Sequence, residues 1–214
     1  TFFENLSSSL FELNLNNKDI PPLFHEYIDS LDQPSRDGFN TFIVSKEANR
    51  HVKVALSGLG GDEIFAGYEH FKDISYKSSI KPNLTQQLFK SINKIRPNRY
   101  TNKFRFINEN PYKSTIWKRM IINNLQQKAI IKLPVYNLNS VDKNNLSSIQ
   151  QISKAEIDNY LLNTLLRDSD VMSMANSLEL RPVLLDHVLV ETVFSLPDEF
   201  KLKDGIKKSL FIDA

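Results

Sequence analysis

Val54-Ala55-Leu56-Ser57-Gly58-Leu59-Gly60-Gly61-Asp62-Glu63-Ile64-Phe65-Ala66-Gly67-Tyr68 is the stretch that decides how this chain folds. The run from Val52 to Leu56 reads as a short buried strand. It empties into three glycines within four residues, then an acidic pair, then an apolar segment able to start a helix. Glycines let the backbone turn tightly and approach a ligand, because no Cβ obstructs it. The N–H groups at a helix start favour an anion. Asp62 in such a nest would repel a bare phosphate, but it suits a divalent cation held between carboxylate and phosphate oxygens. The expectation is a nucleotide–Mg²⁺ corner at the carboxyl end of a strand, where open α/β sheets bind ligands.

Two better-known glycine loops do not fit. A Walker loop ends Gly-Lys-Ser/Thr, whereas this one ends Gly-Asp-Glu, and a dinucleotide fingerprint needs a glycine where Glu63 stands. On residue types alone, a plain glycine turn between strand and helix remains the alternative.

The segment Ser57 to Tyr68 resembles the second nucleotide-site motif of the glutamine-dependent asparagine synthetase family, Ser-Gly-x-Gly-(Gly/Ala/Ser)-Asp-Glu-(Leu/Ile)-Phe-(Gly/Ala)-Gly-Tyr. Downstream, Asp170-Val171-Met172-Ser173-Met174-Ala175, Glu179, Arg181 and Leu185-Asp186 are similar to the family's Asp-x-x-Ser-Met-Ala … Glu-x-Arg … Leu-Asp segment. Leu196-Pro197, Lys201-Leu202, Gly205 and Lys208 resemble its Leu-Pro … Lys-Leu … Gly-x-x-Lys ending. The three motifs come in the family's order and cover most of the chain. The resemblance implies an α/β, predominantly helical fold. It would be a fragment of a doubly wound parallel sheet domain, adenine nucleotide alpha hydrolase-like, with residues 1–71 forming the sheet-proximal part and 72–214 a helical part.

It also implies chemistry. Such enzymes activate a carboxylate, aspartate in asparagine synthetases, with ATP to give an acyl-adenylate and pyrophosphate, and ammonia then displaces AMP. ATP and Mg²⁺ are the implied cofactors. Ser57 and the loop Gly58, Leu59, Gly60 and Gly61 match nucleotide and phosphate contacts, and Asp62 matches the Mg²⁺-holding aspartate. An N-cap role for Asp62 at the following helix is the competing reading. Lys208, three residues after Gly205, matches a lysine that reaches the pyrophosphate, a task suited to a mobile point charge. An ordinary solvated helix lysine is the alternative. Glu179 is the other implied catalytic residue, as an acceptor from an amine. Glu179 and Arg181 could instead pair with each other as support, or Arg181 could grip a carboxylate. Asp170, Ser173 and Asp186 are expected to cap or brace the site.

Composition narrows the remaining classes. The chain has 214 residues, 41% of them hydrophobic, and a net charge of +2. That is enough for a core in one domain. No apolar run approaches the roughly 18 residues of a membrane span, and no basic-then-apolar leader opens the chain. A soluble, cytoplasmic protein is expected. There is no cysteine, so disulfides and thiolate sites are excluded. His25, His51, His70 and His187 show no metal-ligand spacing. Zinc-protease and α/β-hydrolase signatures are absent. Family members take ammonia from glutamine with an N-terminal cysteine on a separate domain, and carry a first loop Ser-Gly-Gly-x-Asp-Ser. Neither occurs here. We therefore expect a C-terminal piece of a longer synthetase that is inactive alone, supplied with ammonia by a glutaminase domain it lacks. Its strand would have an open edge that invites association into a homo-oligomer.

Periodicity predicts helices over Phe2–Leu15, Ile20–Leu31 (opened by two prolines), from Asp37 or Asn40 to about Arg50, about Lys154–Leu178, and Asp186–Phe194. Pro82, Pro97, Pro111 and Pro134 punctuate a region of short helices, and Asn137–Ser148 reads as a loop. Beyond Tyr68 no second strand is expected. Residues 74–108 carry Lys77, Lys81, Lys90, Lys94, Arg96, Arg99, Lys103 and Arg105 with no acidic residue among them, interleaved with Phe89, Tyr100, Phe104 and Phe106. That pattern could mark a nucleic-acid groove. Outward-facing cations on helices with inward-facing aromatics are the preferred reading, so no nucleic-acid partner is expected.

Departures from the family pattern matter. Leu59 stands where many asparagine synthetases have Glu, Pro182-Val183 reverses the usual Val-Pro, and Ile212 replaces a usual arginine. Leu59 implies a less polar wall beside the substrate. A glycan or peptide carboxylate is therefore an alternative acyl substrate, and a non-catalytic nucleotide- or RNA-binding relic is the competing class.

Overall fold

The computed structural model describes residues 11–35, 37–95, 107–120, 146–203 and 205–213. The chain forms two compact units that interleave in sequence: residues up to Leu56 with Leu165–Arg181, and Ser57–Thr164 with Pro182–Ala214.

The first unit holds α1 (Ile20–Asp29), α2 (Gly38–Ala48), β1 (Val54–Ser57), α8 (Leu166–Ala175) and β2 (Glu179–Pro182). Proline in the first turn of α1 costs no hydrogen bond, because that N–H has no partner within the helix. Asp37 occupies the N-cap of α2. Gly38 opens that helix, and a Cβ there would sit 3.1 Å from Met172 Cγ, so α8 packs closely on α2. Tyr27, Phe42 and Met172 form the buried centre, flanked by Leu31, Phe39, Ile43 and Val171.

In the second unit follow α3 (Gly61–Ile64), α4 (Glu69–Ser79), α5 (Leu84–Ile95), α6 (Pro111–Arg119) and α7 (Ser148–Ala155). A π-helical segment (Glu156–Leu165) comes directly after α7. Later come α9 (His187–Ser195), α10 (Asp198–Lys201), β3 (Leu202–Lys203), β4 (Ile206–Lys207) and α11 (Ser209–Asp213). Two cores stabilise it. Ala66, Phe71 and Ile74 pack with Ile149 and Ile152, and Ile64 and Phe65 pack with Val193. The apolar half of the glycine-loop motif is thus core, and this pins the loop from beneath. A capping box opens α7: Ser147 Oγ accepts from Gln150 N–H, and Gln150 Oε1 accepts from Ser147 N–H. Asp198, next to the Leu-Pro pair, reinforces it by accepting from the Ser147 hydroxyl at 2.5 Å.

Several expectations need correction. Phe11–Asn16 is irregular rather than helical, and the rest of the proposed first helix lies outside the described residues. The strand begins at Val54, not Val52, and it is not buried: Val54 is 41% and Leu56 71% exposed. Its ordered neighbour is β2, and Glu179 N–H donates to the Lys53 carbonyl. That second strand was not expected. Glu-Leu-Arg-Pro has weak strand propensity, and pairing with β1 overrides it. The β3–β4 hairpin was also missed; two residues per strand carry no period to read. The expected long helix is three consecutive segments from Ser148 to Ala175, π-helical in the middle. Pro111 opens α6, and residues 80–83 around Pro82 separate α4 from α5. Of the expected loop, Ser148 is already in α7, and residues 137–145, like Pro97 and Pro134, lie outside the described residues. Among the described residues no helix is long and apolar enough to cross a membrane.

Candidate functional site

Strand β1 ends at Ser57, whose Oγ accepts from Leu59 N–H at 3.2 Å and so turns the chain sharply. A Cβ added at Gly58 would meet nothing within 4 Å, so the space above the strand end is open. The next two glycines have a different reason. Gly60 has φ +89°, a region closed to most side chains, and its Cβ would lie 2.1 Å from Leu185 Cδ2. At Gly61 the Cβ would lie 2.9 Å from Leu184 Cδ1. Packing against the segment that precedes Asp186 therefore accounts for both.

Helix α3 is a single turn with Gly60 at its N-cap. Asp62 is two positions past the N-cap, inside the turn, so that reading fails. Its carboxylate instead meets the Lys208 ammonium, with Nζ–Oδ1 at 2.9 Å. These residues lie far apart in sequence, and the C-terminal hairpin brings them together. Leu202 pairs with Lys207 and Lys203 with Ile206. Gly205 takes φ +74° in the turn. The Ser209 hydroxyl accepts from Lys203 N–H and donates to the Phe200 carbonyl. Lys207 pairs with Glu69. Lys208 itself has φ 54°, a left-handed conformation costing a non-glycine residue about 1–2 kcal/mol. Both charged ends are half-exposed, 33% for Lys208 and 41% for Asp62. Lys208 is therefore not the solvated helix lysine of the alternative reading.

One contributor escaped the sequence reading. A Cβ at Gly67 would lie 1.8 Å from Asp62 Oδ1 and 2.5 Å from Lys208 Cε. Gly67 N–H also donates to the Asp62 carbonyl at 2.8 Å. The pair meets across the bare face of this glycine. The one sequence signal was its place at the end of the quoted motif.

Glu63, the other half of the acidic pair, turns inward. It is 1% exposed, and its Oε1 accepts from Tyr68 OH at 2.5 Å. Burial pushes its carboxyl up, against the pull of the Tyr68 hydrogen bond. Burial and then the Glu63 contact push the Tyr68 phenol up as well, so it remains a donor. An acid whose pKa rises on folding binds more protons folded than unfolded. Its contribution favours the fold below its unfolded value and is lost as pH rises through the folded value. Glu63→Gln keeps an acceptor for Tyr68 and removes the charge. It is expected to flatten the fall in stability from mildly acidic to neutral pH, which thermal melts of both full-length proteins across that range would show.

In the other unit, Arg181 Nε lies 2.7 Å from Glu179 Oε1, and both are exposed. Residues two apart on a strand share a face, so the mutual pairing read from sequence is realised. Ser173 is buried, donates to the Asp170 carbonyl at 3.2 Å and braces α8; Asp170 is exposed. In the second unit, Asp186 Oδ1 caps α9 by accepting from Val188 and Leu189 N–H. In the basic stretch Lys77 is paired with Asp73 at 2.6 Å, while the side chains of Lys90, Lys94, Arg96, Arg99, Lys103 and Arg105 lie outside the described residues.

Among the described residues no cluster of three histidine or acidic residues could hold a metal by itself. A lone half-exposed carboxylate such as Asp62 does suit Mg²⁺, which takes one or two carboxylates and completes its shell with water and phosphate oxygens.

The architecture is that of an α/β protein, mostly helical, with a candidate site at a strand end built from a glycine turn, a carboxylate and a left-handed lysine. The asparagine synthase family model matches residues 2–214, and the chain belongs to that family. It is 28% identical over 228 residues to glutamine-hydrolyzing asparagine synthetase 1 of Bacillus subtilis strain 168, covering 99% of this chain and 35% of that protein. It is 24% identical over 208 residues to asparagine synthetase 3 of the same strain, covering 94% of this chain and 30% of that one. The chain thus spans about a third of the length of these relatives.

Proposed function

We propose that the chain is the C-terminal synthetase portion of an ATP-dependent, amide-forming ligase that uses glutamine as nitrogen donor and converts aspartate to asparagine. The family membership supports the class, and the Asp62–Lys208 contact is the observation that carries the site. The two strands are read as part of a larger, doubly wound sheet. In the reaction a carboxylate oxygen attacks the α-phosphorus of ATP and pyrophosphate leaves. Ammonia then attacks the acyl carbon and AMP leaves.

The first step accumulates negative charge on the departing pyrophosphate. In this reading Lys208 would neutralise it, with its ammonium held at the Asp62 carboxylate before substrate arrives. Asp62 would hold Mg²⁺, which when bound screens the phosphate oxygens. Before nucleotide binds, Asp62 keeps Lys208 in place. The open space over Gly58 leaves room for a phosphate near backbone N–H groups. Ser57, Gly60 and Gly61 shape that turn. By the family resemblance, Glu179 would accept from an amine and Arg181 would orient a carboxylate once their mutual pair opens.

Leu59 supports a second acyl substrate, a glycan or peptide carboxylate, since an apolar side chain stands where many relatives carry an acid. ATP–pyrophosphate exchange by the full-length protein tests both. Aspartate-dependent exchange is expected. Exchange with only a larger carboxylate would select the second substrate, and exchange with none would overturn the adenylating reading.

A further inference from the structure

Beneath the candidate site lies a buried charge cluster that none of the chemistry above uses. Glu156 is 0% exposed. Arg119, the last residue of α6, donates from Nε to both Glu156 oxygens at 3.1 and 3.0 Å. Its Nη2 lies 2.8 Å from Oε2 without a well-aimed hydrogen bond. His70 Nε2 is 2.7 Å from Glu156 Oε1. The guanidinium lies between two tyrosines, 4.5 Å from the Tyr68 ring centroid and 3.7 Å from that of Tyr160. Tyr68 in turn donates to Glu63, next to Asp62.

We propose that the Arg119–Glu156 pair is a positioning device for the Asp62–Lys208 site, acting through Tyr68 and His70. The role of that site rests on the adenylation reading, whereas the positioning claim rests on geometry alone. A buried ion pair is weak evidence for stability, because desolvation offsets its attraction and apolar residues can replace it. What it adds is a fixed arrangement. Here one guanidinium–carboxylate unit grips the chain at Tyr68 and at His70. The segment it holds runs back through Gly67, whose N–H binds the Asp62 carbonyl and whose bare face leaves room for the charge pair. Ala66, with φ 57°, is a strained point in the same segment. Glu156 and Tyr160 come from the π-helical segment, a rare geometry concentrated at functional sites. The plainer account is that Arg119 merely complements the C-terminal dipole of α6. That account assigns no effect to residues 62–68.

Arg119→Lys keeps the charge but loses the planar fork and the stacking. In the full-length protein, kcat for ATP–pyrophosphate exchange is expected to fall about tenfold with KM for ATP within about twofold, as misplacement rather than lost binding predicts. Amide hydrogen exchange of residues 62–68 is expected to accelerate about tenfold while α6 and α7 keep wild-type protection. Unchanged protection of 62–68, or equal loss in α6 and α7, would overturn the proposal. If Arg119→Lys does not fold, Tyr68→Phe, which keeps the ring and removes the bond to Glu63, decides by the same amide measurement. A wild-type protein without exchange on any carboxylate would defeat the adenylation reading, and the amide result would still decide the positioning claim.

Discussion

Lys208→Ala in the full-length protein is expected to lower ATP–pyrophosphate exchange by about a hundred- to a thousandfold, the usual cost of removing one preorganised charge partner of a transition state. Stability should barely change. The Asp62–Lys208 pair is a third or more exposed at both ends, and such pairs contribute about 1 kcal/mol or less. Alanine at φ 54° is as disfavoured as lysine, so the backbone strain is the same in both proteins. Exchange kinetics beside a thermal melt separate the two effects. Lys208→Arg is expected to recover only part of the rate, because a planar fork does not reproduce a compact ammonium. Undiminished exchange in Lys208→Ala would remove Lys208 from the chemistry.

Gly67→Ala is the second large expected effect, and it adds a single methyl. That methyl would fall 1.8 Å from Asp62 Oδ1 and 2.5 Å from Lys208 Cε, so both side chains must move. Both atoms belong to flexible ends that can swing into solvent, which keeps the folding cost low. The arrangement is lost all the same, and a displacement of an ångström or so can cost about a hundredfold in rate. A drop of that order with an unchanged melting temperature is the expected pattern. Wild-type exchange by Gly67→Ala would show that the charge pair is not the working arrangement. Gly60 makes the contrast: its clash is with Leu185 and its φ is +89°, so a side chain there strains the fold itself.

Legibility in the sequence followed how local each determinant is. Helices α1, α2 and α9 were read nearly to their ends, because prolines, the N-cap Asp186 and apolar spacing are signals carried by neighbouring residues. Strand β2 was not read, since Glu179 to Pro182 becomes a strand only by pairing with β1. The π-helical stretch was invisible for the same reason: Ile157, Tyr160, Leu161 and Leu165 fit an ordinary helical spacing. At the site, the motifs pointed to Asp62 and Lys208 as separate residues with separate alternatives. The start of α3 at Gly61 removed the N-cap reading of Asp62, and the contact with Asp62 gave Lys208 a partner.

By itself the sequence determined the asparagine synthase family, the strand–glycine turn–helix unit and the identities of the charged residues, because these depend on residue type and short-range order. Tertiary structure alone decided that Asp62 faces Lys208 and that Glu63 turns inward. Asp62 meets Lys208 because the β3–β4 hairpin brings the lysine to it and the missing Cβ at Gly67 leaves room for the pair. Glu63 turns inward beside the core that holds Ile64 and Phe65, where its carboxylate accepts from the Tyr68 hydroxyl. The Asp62–Lys208 contact joins residues far apart in the chain, whereas Glu63 and Tyr68 stand five residues apart and are brought together only because the core turns the intervening segment back on itself.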